Sequence, residues 1–291
     1  MSRLIECVPN FSEGRDPLVI ASLAGSIRQT SGVRLLDHSA DADHHRSVFT
    51  FAGTPEGVAA AALAAAGVAV ERIDLNRHSG VHPRIGAVDV VPFVPLSGSV
   101  MAECVELSRH FAEMLWERWR VPGFLYEQAA VHADRRGLEQ VRRMASAGAA
   151  PDIGEGRHPT AGACAVGARE FLIAWNIWLE TRDLGLAKRI AQAVRFSSGG
   201  FPGVKALGLP LSSLGIVQVS INSTDFRATP LHAVFKRVES LAHEAGVEVR
   251  GSELVGMLPK AAIDLSAGLD LQWLNLTAGR VLEGAMADQA G

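Results

Sequence analysis

The stretch RHSGVHPRIGAVDVVPF, Arg77 to Phe93, sets two histidines four positions apart among glycines, a proline and two arginines, just ahead of an apolar run. Imidazole titrates near neutrality, so either histidine could accept and donate a proton. Two histidines at this spacing on a helix would share a face and could hold zinc. Here Gly80 lies between them, Pro83 biases His82 away from the helical region, and no glutamate fills the catalytic slot of a zinc helix. The spacing therefore predicts a loop that delivers His82 to the start of a strand, with Arg77 and Arg84 beside it. Those arginines would disfavour a charged imidazole and bind a carboxylate. A loop histidine with no duty fits the local chemistry equally well.

A second polar cluster, DHSADADHHRSVF from Asp37 to Phe49, holds three aspartates, three histidines and one arginine. Such density suits a metal site, and it also suits a solvated turn between strands. If it faces His82, then Asp37, Asp41 or Asp43 could orient the imidazole or pair with a cationic substrate group. A metal-dependent hydrolase would instead draw on His38, His44, His45, His78 or His82. No dinucleotide fingerprint, phosphate loop or nucleophile elbow is present in the chain.

These residues need a scaffold, and 291 residues with 48% hydrophobic and 20% charged content are enough for two units with real cores. Lys and Arg number 28 against 31 Asp and Glu, a net charge of -3, so no global basic field exists for nucleic acid or anionic lipid. Cys7, Cys104 and Cys164 are odd in number and far apart, which points to a reducing, cytoplasmic setting and to core roles. The N-terminus does not look like a signal peptide, and Gly57 to Val70 is too short and alanine-rich to span a bilayer, so a buried helix is expected there.

Strands and helices take turns along the chain. Strands are expected at Leu4 to Pro9, Val33 to His38, Ser47 to Gly53 and Ala87 to Leu96, with Pro92 and Pro95 suggesting an edge or bulge in the last. Helices are expected near Pro17 to Gln29, from Pro55 behind a Thr54 cap, from Val100, and near Gly137 to Ala145. Ala147 to Glu170, dense in Gly and Pro, reads as one long and therefore functional loop. Glu170 to Leu179 reads as a strand closing the first half. A helix, the strand Gly215 to Asn222, a helix from about Pro230 and the strand beginning at Val247 follow. The expected fold is α/β (α+β) with two subdomains, 1–180 and 181–291, each a sheet with helices packed on it and a ligand cleft between them.

Several blocks in order carry a resemblance. ECVPNFSEGR (Glu6 to Arg15), HRSVFTFAG (His45 to Gly53), RHSGVHPRIGAVDVVPF, GAREFLIAWNI and LVGMLP resemble the formiminotransferase domain family over about residues 4–265. The resemblance implies transfer of a formimino group between tetrahydrofolate and glutamate in histidine breakdown, with folate as substrate and no metal. It places the family's catalytic histidine on His82, and 291 residues suit a form without a cyclodeaminase domain.

It also implies a folate-binding segment at Gly154 to Gly162, GEGRHPTAG, drawing on Gly154, Gly156, Arg157, His158, Thr160 and Gly162, with Arg157 and His158 toward the glutamyl carboxylates. Asp37, Asp41, Arg46 and Arg84 are expected to complete the substrate site. Ser39 stands where animal members carry an aspartate. The expected partners are folate and a small amino acid, with no nucleic acid and no membrane, and a homodimer is left open. Glycine or another amino acid as acceptor, or folate binding without catalysis, are the alternatives.

Overall fold

In the computed structural model, residues 3–42, 45–78, 84–211 and 214–287 are described, and the chain divides into the units Met1–Glu170 and Phe171–Gly291. The sheet of the first unit comprises β1 (Ile5–Cys7), β2 (Asn10–Phe11), β3 (Val33–Asp41), β4 (Arg46–Gly53), β5 (Val88–Pro95), β6 (Gly123–Glu127) and β7 (Cys164–Ala168). β1 and β2 are two pieces of one lane between β4 and β5, and β3 is the edge beyond β4. β7 lies parallel to both β5 and β6; the other pairs are antiparallel.

Three helices cover one face of this sheet, and their ends are written locally. α1 (Pro17–Arg28) starts where the Asp16 carboxylate accepts from the Leu18 and Val19 amides, and α2 (Pro55–Arg72) where Thr54 accepts from Gly57. α3 (Met101–Trp119) stops at Arg120, which turns left-handed at φ 57°. α2 is the buried helix its alanines predicted, and among the described residues no helix is long and apolar enough to cross a membrane. Phe49, Phe51, Phe93, Leu23, Ile27, Val58 and Leu115 fill the core between sheet and helices. On the other face α4 (Leu138–Ser146) places Val141 against Phe124, Tyr126 and Val90.

Three expectations need correction. β5 is not an edge strand, because β1 and β2 flank it on one side and β7 on the other. Pro92 is tolerated where the neighbouring lane is broken between β1 and β2, and the register shift against β2 falls at Val88 and Val90 rather than at the proline. Ala147 to Glu170 is not all loop, since its short run Cys164–Ala168 is strand β7, lying between β5 and β6 and made of small residues with weak strand propensity.

The third concerns the strand expected to close the first half. β8 (Ile173–Leu179) instead pairs with β10 (Ile216–Ser223) and β11 (Val249–Val255), so the units divide after Glu170 and not near 180. β9 (Val204–Leu211), outside every strand expected from the sequence, completes the order β11-β8-β10-β9. α5 (Leu184–Val194) and α6 (Leu231–Glu244) cover one face of this antiparallel sheet, with Trp175, Ile177, Val219, Ile221, Ile190 and Phe235 between.

Candidate active site

The site begins at the β3–β4 hairpin, where strand alternation sorts its polar cluster onto two faces. Asp37 pairs with Thr50, Ser39 with Val48 and Asp41 with Arg46, so these residues share the face opposite α1, α2 and α3. His38 turns the other way and stacks on the core ring of Phe49, centroids 5.5 Å apart. Asp43 and His44 lie outside the described residues.

The segment between β2 and α1 crosses this hairpin at close range. A side chain at Gly14 would meet the Asp41 carbonyl oxygen at 2.2 Å, and the Arg15 Nε donates to the Ala42 carbonyl at 2.8 Å. That approach sets the buried Glu13 beside the buried His45. One oxygen of Glu13 accepts from the amides of Arg15 (2.7 Å) and Asp16 (3.0 Å) and lies 2.9 Å from His45 Nε2. Burial would raise the Glu13 pKa, but the two amides and the His45 ring outweigh it and hold the carboxyl below its usual range.

His45 adopts φ 50°, and its ring stacks on His78 with centroids 3.6 Å apart. Burial first, then the charges of His45 and Arg84, push His78 down to about 4. It is a neutral imidazole at neutral pH.

Three arginines gather beside this stack. Arg46 donates to the Asn10 side chain, and burial lowers its pKa to about 10. Arg84 donates to the His45 carbonyl at 3.3 Å, and Arg142 pairs with the buried Asp89 at 2.6 Å. Asp89 also accepts from the Ile85 amide at 2.7 Å, so one carboxylate holds both a cation and the chain next to Arg84.

The glycine-rich segment is tied to the same place. His158 and Gly162 exchange backbone hydrogen bonds, and the His158 Nδ1 accepts from the Ala161 amide at 2.9 Å. The neutral ring therefore carries its proton on Nε2. Thr160 accepts from the Leu75 amide, the Pro159 carbonyl accepts from Asn76, and Arg157 donates to the Ile85 carbonyl at 3.2 Å. Gly162 has φ 72°, and a Cβ there would lie 2.3 Å from the Ile85 oxygen. Gly154, at φ 80°, packs against Trp116, and Gly156 is exposed. A buried pair, Arg135 with Asp152 at 2.6 Å, secures the base of the segment.

The structure thus brings Arg46, Arg84, Arg157, His158, Thr160 and Gly162 to one end of the first sheet, with Asp37 half-buried and Asp41 exposed on the neighbouring edge. His82 lies outside the described residues, yet its flanks, His78 and Arg84, are both held against His45. Glu13, Asn10, Asp89 and Arg142 were missed as site residues. Glu13 and Asn10 stand in the run ECVPNFSEGR, but their partners are 32 and 36 positions away. Among the described residues, no three His, Cys, Asp or Glu side chains come together to hold a metal.

A mixed sheet carrying a histidine, arginine and carboxylate site, joined to an antiparallel sheet with helices, is the class of two-unit α/β protein defined here. Residues 4–169 match the family described as formiminotransferase domain, N-terminal subdomain, and residues 174–273 match formiminotransferase domain, so the chain belongs to the formiminotransferase domain family. It is 42% identical over 277 residues to glutamate formimidoyltransferase of Streptococcus pyogenes serotype M1, covering 91% of this chain and 93% of that protein. With glutamate formimidoyltransferase of Thermoplasma acidophilum the identity is 38% over 298 residues, covering 99% and 98%. With formimidoyltransferase-cyclodeaminase of Gallus gallus it is 44% over 280 residues, covering 90% of this chain and 51% of that longer protein.

Proposed function

We propose that the protein transfers a formimino group between tetrahydrofolate and L-glutamate, as the names of its relatives state for them, with His82 as the acid-base group. The observation that carries this reading is the anchoring of both flanks of the His82 segment. His78 stacks on the Glu13-held His45, while Arg84 and Ile85 are fixed by the His45 carbonyl and Asp89. His82 is joined to Arg84 by two peptide units, about 7 Å at full stretch.

In the direction from folate to glutamate, His82 removes a proton from the glutamate amine, and the freed nitrogen bonds to the formimino carbon. Collapse breaks the bond from that carbon to the folate nitrogen, which takes the proton from His82. Arg46 and Arg84 supply the positive charge that carboxylate substrates require in a chain of net charge -3. Asp37 and Asp41 offer carboxylates to the cationic one-carbon unit. Gly154, Gly156, Arg157, His158, Thr160 and Gly162 form the folate segment, held to the His82 flanks through Leu75, Asn76 and Ile85. Three buried, unpaired cysteines fit a reducing cytoplasm.

The test is an assay of the purified protein with 5-formiminotetrahydrofolate and a panel of amino acids, glycine included. Formimino transfer with glutamate as the preferred acceptor is expected. Folate binding without transfer to any acceptor would overturn the reading.

A further inference from the structure

The peptide of Ile85, three residues after His82 in the chain, is gripped from both sides. Its carbonyl accepts from the Ala163 amide at 2.9 Å and from Arg157 at 3.2 Å, so the chain leading into β7 and the glycine-rich segment share that end. Its N–H donates to one oxygen of the Asp89 side chain at 2.7 Å.

Asp89 lies on β5 with 1% exposure, and an acid so placed must be both paired and oriented. Arg142 does both, because its guanidinium donates to the second Asp89 oxygen at 2.6 Å from 53 positions further along the chain. With that oxygen held, the other is aimed at the Ile85 N–H. Arg142 projects from α4, which Val141 seats against Phe124, Tyr126 and Val90. The contact is one charge-assisted hydrogen bond and not a two-pronged fork through Nε, since the buried Arg142 Nε has no hydrogen-bond partner among the described residues. The charge of Asp89 also reaches Arg46 and Arg84, so its orientation bears on the cations of the site as well as on the chain.

Resting on the reaction proposed above, we propose that Arg142 is a positioning residue for formimino transfer: by orienting Asp89 it fixes the Ile85 peptide, and through Ile85 the end of the segment that carries His82. Arg142 touches no reacting atom. Its effect on rate is geometric, since a displacement of about 1 Å at a proton-transfer group can cost roughly 10²-fold. Because the bond to Asp89 is made by charge at a single point, a lysine at position 142 should serve in part, whereas an uncharged side chain of similar length should not.

The experiment measures kcat, the KM for each substrate and hydrogen exchange at the Ile85 amide in the wild type, Arg142→Met and Arg142→Lys, at a temperature where each protein is folded. Arg142→Met is expected to lose roughly 10- to 100-fold in kcat with both KM values nearly unchanged, and to quicken exchange at Ile85. Arg142→Lys should recover much of both. A purely structural role would lower the unfolding temperature and leave kcat of the folded protein alone.

The double variant Asp89→Asn/Arg142→Met buries no unpaired charge, and so tests the same route even where Arg142→Met alone does not fold. It is expected to show the same fall in kcat. A folded double variant with kcat within about twofold of wild type, or an Arg142→Lys as slow as Arg142→Met, would overturn the proposal. Absence of any transfer by the wild type would overturn the reaction and this role together, whereas active wild type with unchanged kcat in the variants would overturn this role alone.

Discussion

Asp89 is the residue whose loss should be felt most widely. It is 1% exposed, and its two oxygens accept from Arg142 at 2.6 Å and from the Ile85 amide at 2.7 Å. Asp89→Ala leaves the Arg142 guanidinium, 14% exposed, without its counter-charge. Removing one partner of a buried ion pair costs about 3–5 kcal/mol. For a unit of this size, each kcal/mol is about 2–4 °C, so a fall of roughly 6–20 °C in the unfolding temperature follows. Asp89→Asn keeps an oxygen for Ile85 and should lose less. Thermal unfolding of the three proteins, with hydrogen exchange at the Ile85 amide, reads both effects. A shift under about 2 °C with unchanged exchange in Asp89→Ala would show that neither the ion pair nor the amide bond carries the stability argued here.

The remaining predictions concern pH, backbone and substrate. Burial, opposed by the charge of Arg169, pushes the Glu6 carboxyl up to about 7. Between its unfolded pKa of 4.5 and about 7 the unfolded chain gives up a proton that the folded one keeps, so stability should fall by roughly 2–4 kcal/mol as pH rises through that window. Denaturant unfolding of Glu6→Gln from pH 4 to 8 should lack this fall; an identical pH profile would reject it. Gly162→Ala, at φ 72° and with Cβ 2.3 Å from the Ile85 oxygen, should destabilise by more than about 1–3 kcal/mol and lower kcat/KM, and a neutral result in unfolding and kinetics would contradict the packing. Arg84→Ala should raise the KM for a carboxylate substrate, with added salt weakening the wild type more than the variant; an unchanged KM for both substrates would remove Arg84 from the site.

Much of this fold is local and was legible. Thr54 and Pro55 announce α2, and alternation through Ser47 to Gly53 announces β4. β7 and β9 were not legible, because CAVGA is a run of small residues and VKALGLPL contains Gly and Pro, so pairing with neighbours rather than propensity makes them strands. β8 reads correctly as a strand, but which sheet it joins depends on partners at β10 and β11, some 40 and 75 residues on by order of magnitude. In the site, Arg46 and Arg84 stand out as cations beside histidines. Glu13 does not, since nothing in SEGR shows that a close crossing at Gly14 will press it against His45. The alternation of β3 likewise separates His38 from Asp37, which composition alone treats as one cluster.

The proposal that His82, between the anchored flanks His78 and Arg84, moves the proton in formimino transfer is open to direct measurement. Its most direct test is the turnover of His82→Ala with saturating 5-formiminotetrahydrofolate and glutamate, alongside the affinity of the same variant for the folate. A fall of roughly 10²- to 10⁴-fold in turnover with folate affinity retained is the predicted result. Turnover within a few-fold of wild type would contradict it.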